Sequence, residues 1–172
     1  MASCSSCVSL TAGCSDAGKP EDAERQEATK LNCEEATGSA SNLDGYELVN
    51  DTVALETSST RDTPFSLSTA DITLSLDETD EFYFAETALQ VEADTTFSIV
   101  AEGLPTEVLV VGYWGDPPTA PPERTFSGDP CPGEEWLVFS GGWMTTQPVC
   151  ATIAVTTPKG TTKLRVPLGA SC

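Results

Sequence analysis

The chain has 172 residues, with 27 Asp and Glu against 8 Lys and Arg, a formal net charge of −19, no His and seven Cys. That negative surplus repels nucleic acid and anionic lipid surfaces, because phosphate binding needs clustered Lys and Arg that displace counterions. The lack of His closes Ser-His-Asp, Cys-His, blue-copper and His-zinc sites, and no run approaches the roughly 18 to 20 apolar residues of a membrane-crossing helix.

The chain begins Met1-Ala2-Ser3-Cys4-Ser5-Ser6-Cys7-Val8-Ser9, without charge, and leads to Leu10-Thr11-Ala12-Gly13-Cys14. This stretch resembles the lipobox of bacterial lipoprotein precursors, which are diacylated on the Cys and cleaved before it. Small residues suit a segment that a peptidase must thread in extended form. The resemblance implies a lipid on Cys14, a signal-peptide remnant over 1–13 and a membrane-anchored position outside the cytoplasm. No Lys or Arg precedes the apolar stretch, so the true translation start is expected upstream of Met1.

Cleavage there discards Cys4 and Cys7 and assigns Cys14 to lipid, leaving an even set of Cys33, Cys131, Cys150 and Cys172. Four cysteines in an exported domain allow three connectivities, and their spacing does not choose among them. The expected pairing is Cys131 with Cys150, around one strand, and Cys33 with Cys172, tying the start of the domain to its end. Each bridge would contribute about 2 to 4 kcal/mol. Residues 14–45 are acidic and poor in large apolar side chains, so they are expected to form a disordered linker, with at most a short marginal helix over 20–36.

From Tyr46 the apolar residues recur at period two, which predicts half-buried strands. Val53/Leu55, Phe65/Leu67, Ile72/Leu74/Leu76, Leu89/Val91, Phe97/Ile99, Leu109/Val111/Tyr113, Ile153/Val155 and Leu164/Val166/Leu168 form the successive inward sets. Phe82 and Phe84 have the opposite parity to Leu89 and Val91, which predicts a bulge or break near Glu86-Thr87. Glu92-Ala93-Asp94-Thr95 separates two strands, the prolines of 116–122 mark a surface loop, and Pro158-Lys159-Gly160-Thr161 connects the last two strands as a hairpin. Trp136-Leu137-Val138-Phe139 is apolar on both faces and reads as a central strand. The fold expected for 46–172 is an all-β, antiparallel, immunoglobulin-like β-sandwich of about eight or nine strands.

Several of these segments are similar to an uncharacterised group of secreted or lipid-anchored actinobacterial proteins. They are Tyr83-Phe84-Ala85-Glu86-Thr87-Ala88-Leu89, Val111-Gly112-Tyr113-Trp114-Gly115, Trp136 to Trp143, Gln147-Pro148-Val149-Cys150 and Leu164 to Cys172. The resemblance implies an exported sandwich and assigns no activity.

Three kinds of site come from residue chemistry. Asp77, Asp80 and Glu81 lie in an oxygen-rich run of the kind that holds Ca²⁺, though without the glycine and ligand spacing of an EF-hand loop, so no metal and no cofactor are expected. Glu134 and Glu135 are the nearest approach to a glycosidase carboxylate pair, but adjacent strand residues face opposite ways, so the chain is not expected to be an enzyme. Trp114, before the proline-rich loop, and Trp143, after Gly141-Gly142, are the aromatics expected at the surface. There they would serve a carbohydrate or cell-wall binding module, whereas Trp136 is assigned to the core. The leading expectation is a non-enzymatic, lipid-anchored envelope protein whose partner is another envelope protein or the cell wall.

Overall fold

The period-two pattern resolves into strands throughout the computed structural model, which describes residues 29–40, 42–69, 82–105, 108, 110–114, 125–132 and 135–172. The expected strand over 71–77, the calcium candidates Asp77, Asp80 and Glu81, the expected lipidation site Cys14, Leu109, Glu134 and the proline-rich loop lie outside the described residues.

Among the described residues there are fourteen strands, twelve of them within 46–172, where eight or nine were expected: β1 (Thr29–Leu31), β2 (Gly38–Ser39), β3 (Glu47–Val49), β4 (Val53–Leu55), β5 (Ser68–Thr69), β6 (Tyr83–Glu86), β7 (Leu89–Glu92), β8 (Phe97–Glu102), β9 (Val110–Trp114), β10 (Thr125–Gly128), β11 (Trp136–Phe139), β12 (Gly141–Thr145), β13 (Val149–Thr157) and β14 (Gly160–Leu168). Sheet I has the order β1-β10-β8-β13-β14, sheet II β2-β11-β7-β4-β3 and sheet III β5-β6-β12-β9. Every strand pair is antiparallel except β1 with β10. Inward residues of all three sheets join one hydrophobic cluster, an arrangement consistent with a β-sandwich.

Sheets II and III are two halves of one bent ladder. Pairing passes from Glu86↔Gly142 to Leu89↔Phe139 without a shift of register, and the Thr87 N–H donates to the Gly141 carbonyl at 3.0 Å across the break. The predicted break near Glu86-Thr87 is therefore present, but no residue is inserted. Ala85, Thr87, Leu89 and Val91 are all buried along one parity, while Phe84, of the other parity, is half-buried. Interruption follows from Thr87 itself, whose carbonyl accepts the Trp114 indole N–H at 3.1 Å.

On β9 Val110 and Trp114 are buried, while the expected set Leu109/Val111/Tyr113 falls on positions whose side chains lie outside the description. The other inward sets within the described residues hold, with Leu67 only half-buried. On β11 only Leu137 and Phe139 are buried, and Trp136 and Val138 are half-buried on the other face. The final hairpin is as expected: Thr157 pairs with Gly160 across a two-residue turn.

Two further expectations are corrected where the chain enters. Residues 29–39 are not linker: β1 adds to β10, β2 adds to β11, and Leu31 is buried. Nor is the described part of 20–36 α-helical, since Cys33–Glu35 forms one 3-10 turn between the two strands. Apolar density was too low for the sequence pattern to register strands that add to edges already formed elsewhere.

The edge of β14 is closed by a loop. The Ser58 N–H donates to the Arg165 carbonyl at 2.7 Å and the Phe65 N–H to the Pro167 carbonyl at 2.8 Å. Pro167 has no N–H to leave unpaired there, which is why a proline is tolerated so late in a strand.

Candidate functional site

The same four cysteines selected from sequence form disulfides, but with different partners. Cys33 pairs with Cys131 (Cα–Cα 5.6 Å) and Cys150 with Cys172 (Cα–Cα 5.1 Å). Topology explains the correction. Cys33 sits between β1 and β2 and Cys131 between β10 and β11, and those strands pair, so the two connections run side by side. Cys150 is the second residue of β13, opposite Pro167, and the chain has only to return from the end of β14 to bring Cys172 back to it. Neither adjacency is visible in cysteine spacing.

Trp114 and Trp143 are not a surface pair. They are 5% and 1% exposed and pack edge-to-face at 4.6 Å, with Trp114 also edge-on to Phe126 at 5.4 Å. Trp143 fits because its two cross-strand partners are small, Ala85 on β6 and Gly112 on β9. A Cβ on Gly112 would lie 2.4 Å from the Trp114 ring and 2.8 Å from that of Phe126. Gly141-Gly142, read as a turn that exposes Trp143, begins β12 instead. A Cβ on Gly142 would meet the Ala85 carbonyl oxygen at 2.0 Å, so glycine there permits the close ladder. Trp136, assigned to the core, is the tryptophan that reaches the surface. Glu135 is exposed, and no group of three or more His, Cys, Asp and Glu among the described residues is placed to hold a metal.

Two clefts among the described residues lie around a side chain that sequence reading passed over. Arg61 is in the Ser- and Thr-rich stretch between β4 and β5 that covers the β14 edge. Its Nη2 donates to both Glu56 oxygens, at 3.0 and 2.9 Å, and its guanidinium lies 3.9 Å from the centre of the Phe65 ring. The Thr87 hydroxyl donates to the same carboxylate at 3.2 Å, tying this loop to the ladder break. These contacts hold the guanidinium in one orientation through a carboxylate, an aromatic face and a fixed hydroxyl.

Arg61 separates two clefts. One, of about 330 Å³, is lined by Phe65, Ser66, Leu67, Ser68, Phe84 and Glu86 as well as Arg61. The other, of about 270 Å³, lies between Ser58 to Pro64 on one side and Pro167, Ser171 and Cys172 on the other. The Cys150–Cys172 bridge holds the far wall of the second cleft. Such a lining offers hydroxyls, aromatic surface and one charge of each sign, which suits recognition of a mixed polar and apolar segment. The only signal in the sequence was Glu56 and Arg61 flanking a run of Thr and Ser, which reads as an ordinary loop.

No protein-family model matches the chain, and neither a curated protein nor a solved structure shows significant similarity to it.

Proposed function

We propose that the chain is a non-enzymatic envelope protein, lipid-anchored through Cys14, whose immunoglobulin-like sandwich acts as an interaction domain outside the cytoplasm. The observation that carries this reading is the Cys33–Cys131 bridge. It crosslinks the segment that enters the fold to the connection between β10 and β11, so a pull on the N-terminal tether is borne by a covalent bond to the core. A second bridge ties Cys172, beyond β14, to β13, and two disulfides in a domain of this size suit an oxidising compartment. The lipobox-like start and the resemblance to secreted actinobacterial proteins read from the sequence support the same reading. The clefts beside Arg61 supply a surface for a partner.

Fractionation tests the anchor. The wild-type chain should sediment with membranes and be released by detergent, while Cys14→Ser should appear in the soluble extracytoplasmic fraction. Equal solubility of the two proteins would remove the anchor from the account.

A further inference from the structure

Ala151, Ile153 and Val155 of β13 and Leu164, Val166 and Leu168 of β14 point into the core, so alternation puts Cys150 and Thr152 of one strand and Arg165 and Pro167 of the other on the outer face of sheet I. Register makes Arg165 the diagonal neighbour of Cys150, since Cys150 lies opposite Pro167 and Thr152 opposite Arg165. A long side chain spans that diagonal. The Arg165 Nε–H donates to Cys150 Sγ at 3.0 Å, and among the described residues no carboxylate, Asp62 of the adjoining cleft included, forms an ion pair with Arg165. Its charge is directed at a sulfur.

The two sulfurs of this bridge stand in different surroundings. Cys172 is exposed and lines the cleft of about 270 Å³, whereas Cys150 is half-buried on β13. An attacking thiolate therefore reaches Cys172, and the sulfur that must leave is Cys150, beside a guanidinium. Thiol–disulfide exchange is faster when the leaving thiolate is stabilised, and a cation next to a cysteine stabilises it. The other bridge has the opposite environment. Cys131 is 5% exposed, its Sγ lies 3.7 Å from the Asp129 carbonyl oxygen, Glu34 and Glu35 follow Cys33, and Lys30 is paired with Asp129 at 2.5 Å. A thiolate leaving there would face oxygen atoms and no unpaired cation.

We propose that the Cys150–Cys172 bridge is an exchange site for low-molecular-weight thiols, which are captured on Cys172 as a mixed disulfide while Cys150 departs as a thiolate beside Arg165. A thiolate RS⁻ attacks Cys172 Sγ, an S–S bond forms between RS and Cys172, and the Cys172–Cys150 bond breaks with its electron pair going to Cys150 Sγ. The negative charge passes from RS⁻ to Cys150, and no outside oxidant is consumed. Return attack by Cys150 on the adduct closes the bridge and releases RS⁻, while attack by a second thiolate releases RSSR and leaves both cysteines reduced. Opening also unties one wall of the cleft. Gly169 keeps its pairing with Val149, but Ser171 and Cys172 lose their covalent tie to β13, so the cleft changes with the supply of thiol. This goes beyond the reading of the domain as an envelope protein and does not need the lipid.

The test uses the full chain with Cys4, Cys7 and Cys14 replaced by Ser, so that no other thiol competes, and 2-mercaptoethanol as the probe. Exchange is stopped at timed points, free thiols are trapped by alkylation, and peptides are mapped by mass. Cys150–Cys172 should open at least about tenfold faster than Cys33–Cys131, with the adduct on Cys172 and the alkyl group on Cys150. Arg165→Gln should slow that opening at least about threefold without changing the rate at Cys33–Cys131, and Arg165→Lys, which keeps the charge, should recover most of it. The Cys33–Cys131 rate also reports folding, because a variant that unfolds opens both bridges quickly; in that event the rate ratio and the adduct position in the parent chain decide alone. The proposal is overturned by equal opening rates in the parent chain, by an adduct on Cys150, or by a folded Arg165→Gln that opens as fast as the parent. Since exchange is read without membranes, its failure leaves the fractionation result standing, and the reverse also holds.

Discussion

Trp114 and Trp143 lie in one aromatic cluster, yet their indole N–H groups differ, and that difference makes a quantitative prediction. Trp114 Nε1 donates to the Thr87 carbonyl at 3.1 Å, whereas Trp143 Nε1 is buried with no partner. Substituting Phe removes a similar part of the ring at either site, so the packing losses are comparable. Trp114→Phe also strands the Thr87 carbonyl, at about 1 to 3 kcal/mol, while Trp143→Phe removes an unpaired donor that already carries a cost of that order. Trp114→Phe should therefore be the more destabilising of the two by about 2 kcal/mol or more. For a chain of this length that is a gap of about 4 to 8 °C in melting temperature. Thermal and urea unfolding followed by far-UV circular dichroism would measure it. Equal losses, or a larger loss at Trp143, would refute the assignment of the hydrogen bond. Near-neutral effects at both would return the pair to the surface.

The disulfides should differ in worth because they close loops of different length. In the chain-entropy account, Cys33→Ala with Cys131→Ala should cost about 4.7 kcal/mol for a separation of 98 residues, and Cys150→Ala with Cys172→Ala roughly 3.4 kcal/mol for 22; urea midpoints give the order. Gly142→Ala should destabilise by at least about 1 to 3 kcal/mol, since its Cβ meets backbone, whereas Gly38→Ala meets nothing within 4 Å and should stabilise by about 0.4 to 1 kcal/mol; chemical denaturation of the two separates them. Glu56→Gln should cost about 1 to 2 kcal/mol, between surface and buried ion pairs, because Arg61 and Glu56 are 31% and 23% exposed. Its signature beyond stability is faster proteolysis within 56–65, the loop that Arg61 holds.

The all-β character was legible because alternation over Ile153/Val155 and Leu164/Val166/Leu168 is a local property of the chain. The cysteines that pair were legible too, since the lipobox-like start and parity left four. What escaped was relational. A register that puts Ala85 and Gly112 on either side of Trp143 turns a residue after two glycines into the centre of the core. Trp136 went the other way, because an apolar tetrapeptide looks buried on both faces until its sheet is seen to have an outer side. Connectivity of the disulfides depends on which loops run side by side. Arg61 was invisible because its meaning comes from Glu56, Phe65 and Thr87 meeting it in space, the last across a ladder break.

The central claim, that this is an exported and anchored disulfide domain, is tested most directly by peptide mass mapping under non-reducing conditions of the protein taken from its native cell. The account predicts a first peptide beginning at a lipid-modified Cys14 and two crosslinked peptide pairs, Cys33 with Cys131 and Cys150 with Cys172. An unmodified Cys14 in a chain that retains Met1, with the other four cysteines recovered as free thiols, would contradict it.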